Sequence, residues 1–230
     1  MLPVAILAGG LATRLRPITE KIPKALVPVA GKPFIYHQLT YLRDQGIDRV
    51  VLCIGYLGQM IQDVVGDGTE FGLSVSYSLD GPVLLGTGGA MKQASHLLEE
   101  SFFVLYGDSF LPIDFSAVEN SFLSSGKPAL MTILHNGDRW DKSNVLFRNG
   151  KLEEYNKRYP RTEMEFIDYG LGILSKSVFE YYTDYPLDLA DVYHSLSLEG
   201  NLLGYEVHER FYEIGSIPGL KETETYFLRK

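Results

Sequence analysis

The first half of the chain alternates short apolar runs with amphipathic stretches, and this alternation constrains the fold more than any other feature of the sequence. Strands are predicted at residues 4–7, 49–54, 73–79 and 102–106. A helix is predicted between Pro33, which suits a first helical turn, and Gly46, which suits a helix end. Strands separated by helices imply right-handed βαβ crossovers, and therefore a largely parallel sheet with helices on both faces.

The second half of the chain has a more mixed pattern. Strands are predicted at residues 129–134, 145–147, 151–155 and 170–174, and helices near 175–182, 187–195 and 218–228. Because several of these strands follow one another without a helix, we expect antiparallel additions to the sheet. The predicted fold is a Rossmann-like three-layer α/β sandwich whose central sheet is mostly parallel. Since repeats and linkers rich in Pro or Ser are absent from the sequence, residues 1–230 are predicted to form a single domain.

The net charge of −8 and the sequence pI of about 5.1 argue against a nucleic acid or an anionic membrane as partner. The charge is unevenly distributed, because residues 1–32 hold five basic side chains and one acidic one, which leaves −12 for the rest. The six are Arg14, Arg16, Lys21, Lys24, Lys32 and Glu20. A compact cationic segment is typical of a polyphosphate site, although a solvated surface strand gives the same asymmetry.

Cys53 is the single cysteine and lies in an apolar run, which indicates a buried, inert thiol and excludes a disulfide within the chain. The sequence shows no secretion signal and no apolar run approaching the ~18 residues of a membrane span, so a cytoplasmic protein is predicted. The five histidines lack the spacing of a zinc site.

Three loops follow predicted strands and carry residues suited to ligand binding. They are residues 8–17 after the first strand, 85–90 after the third and 107–109 after the fourth. Ligands of open parallel sheets bind beyond the carboxyl ends of the strands. If these three strands run parallel, the loops share one edge of the sheet.

The first loop has the chemistry of a phosphate site. Gly9 and Gly10 allow backbone N–H groups to approach phosphate without a Cβ in the way, and Arg14 offers a planar fork of donors. Lys24 adds a mobile point charge. The loop is neither a Walker loop nor a dinucleotide fingerprint, because it lacks Gly-Lys-Ser/Thr and a third glycine opening a helix.

Several motifs in the order of the chain resemble the signature of the sugar-phosphate nucleotidyltransferases. They are Leu7-Ala8-Gly9-Gly10-Leu11-Ala12-Thr13-Arg14-Leu15-Arg16-Pro17, Pro23-Lys24-Ala25-Leu26-Val27-Pro28, Gly31-Lys32-Pro33, Leu85-Gly86-Thr87-Gly88-Gly89-Ala90 and Gly107-Asp108. Within this family the chain resembles short bacterial guanylyltransferases of heptose 1-phosphate and uridylyltransferases of N-acetylmuramate 1-phosphate. The resemblance implies transfer of a nucleoside monophosphate from a nucleoside triphosphate to a sugar 1-phosphate, with Mg²⁺ as cofactor.

The resemblance also assigns roles to matching positions. Arg14, Lys24 and Asp108 would be catalytic, and Asp108 would bind Mg²⁺, which prefers carboxylate oxygens. The residues implied in nucleotide binding are Leu7, Ala8, Gly9, Gly10, Ala12, Thr13, Arg14, Lys24, Asp80, Gly86 and Gly88. Residues 1–110 would then form a nucleotide-binding core, and residues 111–230 the part of the same domain that binds the sugar phosphate.

Two positions depart from the family pattern. Ala12 stands where the family usually has glycine, which restricts φ, so the backbone geometry of this loop is expected to differ. Glu213 stands where the family commonly has an aspartate as second Mg²⁺ ligand. A glutamate offers the same carboxylate oxygens on a longer side chain, so Glu213 can serve as that ligand. The alternative interpretation is that Glu213 is a surface residue before a helix.

The sugar phosphate is expected to bind Thr87, Lys157, Asp168 and Gly170. Arg158, the next residue along the chain, is the alternative to Lys157. Asp168 can accept hydrogen bonds from sugar hydroxyls, or it can cap the chain entering Gly170.

The sequence leaves the base and the sugar open. GTP with a heptose 1-phosphate is favoured on resemblance alone, and CTP or UTP with another phosphorylated acceptor is the alternative. A homo-oligomer is an open expectation. Two rival functions are a catalytically inactive sensor of sugar nucleotides and a nicotinamide-dependent oxidoreductase. The sequence argues against the oxidoreductase, because it has neither the dinucleotide-binding glycine motif nor an acidic residue after the second predicted strand.

Overall fold

The computed structural model describes residues 1–229 with the exception of Pro82 and Leu84; Lys230, the last residue of the predicted domain, lies outside them. The strands are β1 Val4–Leu7, β2 Pro28–Val29, β3 Lys32–Pro33, β4 Arg49–Ile54, β5 Ser74–Leu79, β6 Ser101–Tyr106, β7 Ser109–Phe110, β8 Ala129–His135, β9 Val145–Arg148, β10 Lys151–Tyr155, β11 Phe166–Ser175, β12 Leu202–Val207 and β13 Tyr212–Glu213. The helices are α1 Phe34–Asp44, α2 Gly58–Val65, α3 Gly86–Ala94, α4 Phe115–Ser125, α5 Leu189–Leu198 and α6 Ile217–Leu228.

The first half of the chain forms the parallel part of the central sheet. β1 lies between β4 and β6 and is parallel to both, and β5 extends the sheet beside β4, also parallel. The carboxyl ends of these four strands therefore lie at one edge. The prediction of a parallel sheet with shared loops at that edge is confirmed.

The second half continues the same sheet with antiparallel strands. β11 is antiparallel to β6 on one side and to β8 on the other, and β12 closes that end in parallel with β8. β9 and β10 form a hairpin next to β11. The predicted antiparallel additions are confirmed. Because β6 and β11 are neighbours, the proposed nucleotide and sugar-phosphate parts contribute to one sheet; their division at residue 110 stays a prediction.

Helices cover both faces of the sheet, because successive side chains of a strand point to opposite faces. Ile6 packs in a core cluster with residues of α1, α2 and α4, whereas Ala5 packs in a second cluster with residues of α3 and α5. The three-layer Rossmann-like sandwich predicted from the alternation of strands and helices is confirmed.

Some predicted boundaries are wrong. The helix predicted at 175–182 is a single 3-10 turn, Lys176–Phe179. The next helix starts at Leu189 and not at residue 187, because Asp188 caps it by accepting a hydrogen bond from Ala190 N. Pro33 precedes the first turn of α1, since it still belongs to the short β2–β3 ribbon. Within the described residues, none of the helices is long and apolar enough to cross a membrane.

The start of α3 is fixed by a glycine that leaves no room for a side chain. Gly86 has a φ of +78°, and a Cβ there would overlap the carbonyl oxygen of Leu187. Gly88 N and Gly89 N donate hydrogen bonds of 2.9 and 3.1 Å to the same oxygen. This contact ties the start of α3 to the segment before α5.

We predict that Gly86→Ala lowers the free energy of unfolding by about 2 kcal/mol or more, because the methyl group meets fixed backbone at a left-handed φ. Gly150→Ala is the matched control: Gly150 also has a positive φ of +74°, but open space surrounds its α-carbon. That variant should lose only about 1 kcal/mol. Urea unfolding of both variants measures the difference, and equal losses would contradict the packing argument.

Candidate active site

A cavity of about 260 Å³ opens at the carboxyl edge of the parallel strands. All three loops predicted to share this edge line it. The first contributes Ala8, Gly9, Gly10 and Ala12, next to Leu7 at the end of β1. The second contributes Gly86, Thr87 and Ala90, which form the start of α3 and not a loop, and the third contributes Gly107 and Asp108. Lys24, Ala25, Cys53, Asp80 and Tyr106 complete the lining. The structure thus brings together most of the residues assigned to the nucleotide.

Glycines allow the strand ends to crowd together under the cavity. A Cβ on Gly9 would lie 3.0 Å from Gly55 N and 3.2 Å from Asp80 Oδ2. A Cβ on Gly107 would lie 2.7 Å from the carbonyl oxygen of Leu7. Backbone cannot yield at that distance, so a side chain at Gly107 would push the third loop away from the first.

Ala12 adopts the conformation for which glycine is usually selected. Its φ of 48° and ψ of 44° are left-handed. Its carbonyl oxygen accepts a hydrogen bond of 2.7 Å from the buried Thr19 hydroxyl. The sequence predicted an altered loop geometry here, but alanine takes the left-handed backbone itself, at a cost of about 1–2 kcal/mol.

Two of the assigned catalytic residues are in direct contact. Lys24 Nζ donates to Asp108 Oδ2 at 2.9 Å, although the two residues are 84 positions apart in the chain. The hydroxyl of Ser109 donates to the other carboxylate oxygen of Asp108 at 3.2 Å. Both charged side chains keep part of their surface exposed toward solvent, with 20% for Lys24 and 27% for Asp108. A ligand entering the cavity can therefore reach both.

Arg14 and Glu213 approach the same place from other segments. A Cβ built on Gly215 would lie 2.7 Å from Glu213 Oε2, 3.2 Å from Asp108 Oδ2 and 3.3 Å from Arg14 Nη2. These three charged groups therefore surround one α-carbon at the margin of the cavity. Arg14 itself is exposed, as is Thr13. Neither lies among the residues that line the cavity.

Glu213 borders Asp108 and also lies before a helix, while its role as a metal ligand stays a prediction. β13 pairs with β7, so Glu213 lies opposite Ser109, and Ile214 N donates to Asp108 O at 2.9 Å. At the same time its carboxylate faces the start of α6, where it accepts hydrogen bonds from Gly215 N and from the Ser216 hydroxyl. The side chain is thus a carboxylate at a helix start that also borders Asp108.

The carboxylates at the margin of the cavity suit a metal ion that takes its remaining ligands from substrate or water. Among the described residues, no group of three or more His, Cys, Asp or Glu side chains could hold a metal ion. Asp108 and Glu213 supply two carboxylates. Mg²⁺ is commonly bound by one or two carboxylates together with phosphate oxygens of a substrate, and these residues fit that pattern.

The start of α3, predicted from the sequence as the second loop, is partly engaged in packing. The Thr87 hydroxyl donates to Asp188 Oδ1 at 3.0 Å and accepts from Leu189 N at 2.8 Å. Gly88 is buried against Leu187 and lies outside the cavity lining, in contrast to Gly86 and Thr87. Asp188 was missed by the sequence analysis, although an aspartate before an apolar helix is a recognisable cap.

Asp80 borders the cavity at the end of β5, and burial raises the pKa of its carboxyl group. Cys53 lies on the cavity floor beneath it, 1% exposed, and burial raises the pKa of its thiol. The prediction of a buried cysteine is confirmed.

Asp168 lies at an irregularity of β11, outside the cavity lining. The register of β11 against β8 shifts between Asp168 and Gly172, and Gly170 N donates to Asp168 Oδ1 at 2.9 Å within this bulge. The predicted capping interaction is therefore present. Burial raises the pKa of the Asp168 carboxyl, and the charge of the exposed Lys157 opposes that shift.

The alternative to Lys157 is engaged elsewhere, because Arg158 forms an ion pair with Asp191. The charge of Asp168 acts on three tyrosines: burial raises the pKa of Tyr106, Tyr155 and Tyr193, and the charge of Asp168 adds to each shift. The sequence analysis missed them, because an isolated tyrosine in an apolar segment is indistinguishable from an ordinary core residue.

Comparison with known proteins shows which family the sequence resembles. The chain matches the family described as nucleotidyl transferase over residues 4–143. It is 34% identical over 176 residues to the D-glycero-alpha-D-manno-heptose 1-phosphate guanylyltransferase of Campylobacter jejuni, covering 76% of each chain. It is 41% identical over 113 residues to the N-acetylmuramate alpha-1-phosphate uridylyltransferase of Neisseria meningitidis, covering 49% of each.

Solved structures agree with these sequence relatives. HddC from Yersinia pseudotuberculosis, crystallised with GMP-PN, superposes with a TM-score of 0.80 at 26% identity over 99% of this chain and 100% of its own. A Bacillus anthracis protein assigned as a glucose-1-phosphate thymidylyltransferase has a TM-score of 0.88 over 98% of this chain and 95% of its own; at 22% identity it supports the fold alone. By sequence and by fold, the chain belongs to the nucleotidyl transferase family.

Proposed function

We propose that this protein transfers GMP from GTP to a sugar 1-phosphate in a Mg²⁺-dependent reaction that releases pyrophosphate. The observation that carries the proposal is the convergence of Arg14, Lys24 and Asp108 at the cavity margin, where the Lys24–Asp108 contact measures 2.9 Å. The relatives named as guanylyl- and uridylyltransferases of sugar 1-phosphates support the reaction class.

The chemistry is an in-line displacement at the α-phosphorus. A phosphate oxygen of the sugar 1-phosphate forms the new P–O bond, the bond to the bridging α,β-oxygen breaks, and its electron pair leaves with pyrophosphate. The nucleophile is already anionic at neutral pH, so a general base adds little. The barrier lies in bringing two anions together and in stabilising charge on the leaving group.

The charges of the site match these demands. Lys24 lies at the cavity edge, where it can neutralise the α-phosphate, and Arg14 can stabilise the charge that develops on pyrophosphate. Asp108 and Glu213 would hold Mg²⁺, which supplies Lewis-acid stabilisation of the phosphate oxygens. Gly10 has open space around its α-carbon, so a triphosphate can approach its backbone closely.

Asp80 favours guanine as the base. It lies at the end of β5 on the cavity wall, where a carboxylate offers acceptors only. Guanine is the base whose pairing edge presents two adjacent donors, N1–H and N2–H, and a carboxylate can accept both. The heptose guanylyltransferase relative and the structure bound to GMP-PN agree with this choice.

A hydroxyl-rich sugar such as a heptose suits the region around Asp168. One carboxylate oxygen accepts from Gly170 N, which leaves the other free to accept from a sugar hydroxyl. Lys157, whose charge acts on Asp168, is exposed and can meet the sugar phosphate. A cytoplasmic location and a homo-oligomeric assembly stay predictions of the sequence.

Ala12 and Glu213, the two departures from the family pattern, are the reason to consider an inactive sensor of sugar nucleotides. Ala12 adopts the backbone that glycine would adopt, and Glu213 borders Asp108. Neither departure therefore removes an element of the proposed chemistry.

Lys24→Ala and Asp108→Asn should each lower kcat by about two to four orders of magnitude, because each removes charge stabilisation at the reacting phosphate. Pyrophosphate release from GTP, Mg²⁺ and a panel of sugar 1-phosphates measures the loss. Lys21→Ala is the control, since Lys21 is exposed and lies outside the cavity lining. Normal pyrophosphate release by either site variant would refute the assignment of that residue.

Asp80→Asn should reduce kcat/KM for GTP by about 10–100-fold while changing that for UTP less, because asparagine exchanges one acceptor for a donor facing guanine. The measurement compares all four triphosphates for the variant and the wild type. Asp63→Asn on the exposed face of α2 serves as control. An unaltered preference for GTP in the variant, or a wild-type preference for another base, would disprove the role of Asp80.

Asp168→Asn should weaken the sugar site and stabilise the fold. We expect kcat/KM for the sugar 1-phosphate to fall about 10–100-fold, since a charged acceptor is lost. Burial raises the folded pKa of Asp168 above 3.8, so its ionisation lowers wild-type stability as pH rises from about 3.8 through the raised pKa. The variant lacks this loss and should be the more stable at neutral pH.

Urea unfolding of the wild type and of Asp168→Asn at several pH values tests the stability effect. Asp141→Asn, at an exposed position, is a control for a generic change of net charge. Parallel pH profiles for the wild type and Asp168→Asn would show that burial of this carboxylate does not affect stability.

A further inference from the structure

The turn that carries Asp108 is held at both ends by hydrogen bonds. The chain leaves β6 at Tyr106, forms the turn, and enters the short strand β7 at Ser109. Gly107 N donates to Leu7 O at 2.9 Å, and the carbonyl oxygen of Asp108 accepts from Ile214 N at 2.9 Å. These two backbone bonds tie Gly107 to the end of β1 and Asp108 to the residue after β13.

A single side chain bridges the two ends of this turn. Gln38 lies in α1 beneath the sheet edge and is 2% exposed. Its Nε2 donates to Tyr106 O at 3.0 Å and to Ser109 O at 2.7 Å. Both acceptors are backbone carbonyls that flank Gly107 and Asp108, so the amide group connects the residue before the turn to the residue after Asp108.

The other end of the same amide is left without a partner. Gln38 Oε1 is buried and has no hydrogen-bond partner among the described residues. A buried acceptor without a partner is unfavourable, and an apolar side chain would avoid it. Packing alone therefore does not explain a glutamine here. What the amide gains in this position is the pair of bonds to the Asp108 turn.

We propose that Gln38 is a positioning residue that acts through Asp108: it fixes the turn so that the Asp108 carboxylate keeps its place beside Lys24 and Glu213. The inference rests on the proposed function, in which Asp108 binds the metal ion and Lys24 neutralises phosphate. Residues that orient a metal ligand commonly affect metal affinity or activity by 10–100-fold. Gln38 contacts the backbone of the turn and not the Asp108 carboxylate itself.

The test uses two substitutions at Gln38 and a control at Gln45, the residue that ends the same helix. Gln38→Leu removes both donors and the unpaired acceptor, and Gln38→Met does so with a flexible side chain of similar length. The control is Gln45→Leu, because Gln45 Oε1 accepts a hydrogen bond of 3.0 Å from Phe115 N at the start of α4, away from the Asp108 turn. Urea unfolding gives the stability of all three variants.

Two measurements separate a positioning role from a structural one. The first is the dependence of kcat on Mg²⁺ concentration, together with KM for the sugar 1-phosphate. The second is binding of Mn²⁺, followed by electron paramagnetic resonance in the presence of a GTP analogue with a methylene group between the α- and β-phosphorus. For the Gln38 variants we expect the metal concentration at half-saturation to rise about 10–100-fold in both measurements, with KM for the sugar phosphate unchanged.

Gln45→Leu should leave both metal dependences as in the wild type. The proposal is overturned if either folded Gln38 variant binds Mn²⁺ within about twofold of the wild type. It is also overturned if the Gln38 variants change metal affinity no more than Gln45→Leu does at equal loss of stability.

Amide hydrogen exchange tests whether Gln38 holds the Asp108 turn, and it does so without relying on the proposed reaction. The amides of residues 107–110 should exchange faster in the Gln38 variants than in Gln45→Leu and wild type, and equal exchange would count against the anchoring role. If the wild-type protein releases no pyrophosphate with any triphosphate and sugar phosphate, the proposed function fails, while the exchange comparison still decides whether Gln38 holds the turn.

Discussion

The parallel pairing of β1 with β6 is the interaction on which the active-site geometry depends. The register places Leu7 opposite Tyr106, so both strands end at the same level and the loops that follow emerge side by side. The absence of a side chain at Gly107 allows its N–H to reach the carbonyl oxygen of Leu7. This approach delivers Asp108 to the margin of a cavity whose wall is the glycine-rich first loop.

Charge compensation at that margin joins distant segments of the chain. The cationic first 32 residues supply Arg14 and Lys24, and the acidic remainder supplies Asp108 and Glu213, so an overall negative protein gathers its cations where an anionic ligand would bind. Without neighbouring positive charge, the carboxylates of Asp108 and Glu213 would repel each other. The lysine, the arginine and the start of α6 together offset that repulsion.

The same sheet links the cavity to Asp168, which is proposed to bind the acceptor sugar. β11 is antiparallel to β6, and its bulge places Asp168 near Tyr106, which itself borders the cavity. Burial raises the pKa of this half-buried carboxyl, so its ionisation is unfavourable for folding, which is typical of a side chain kept for binding. If Asp168 binds the acceptor as proposed, the antiparallel half of the fold would carry the part of the site that distinguishes acceptors, whereas Arg14, Lys24 and Asp108 come from the first half of the chain.

The sequence by itself determined the parallel core, because short apolar strands such as Val4–Leu7 and glycine-rich loops are local patterns that tertiary contacts reinforce. It also determined the family, through the order and spacing of its motifs. It failed where local propensity competes with context: residues 175–182 form only one 3-10 turn, and α5 begins where Asp188 caps it. Only the tertiary structure decided that Arg158 pairs with Asp191, that Ala12 takes a left-handed backbone, and that Gln38 reaches the Asp108 turn. These outcomes depend on distances between segments far apart in the chain, which local patterns do not encode.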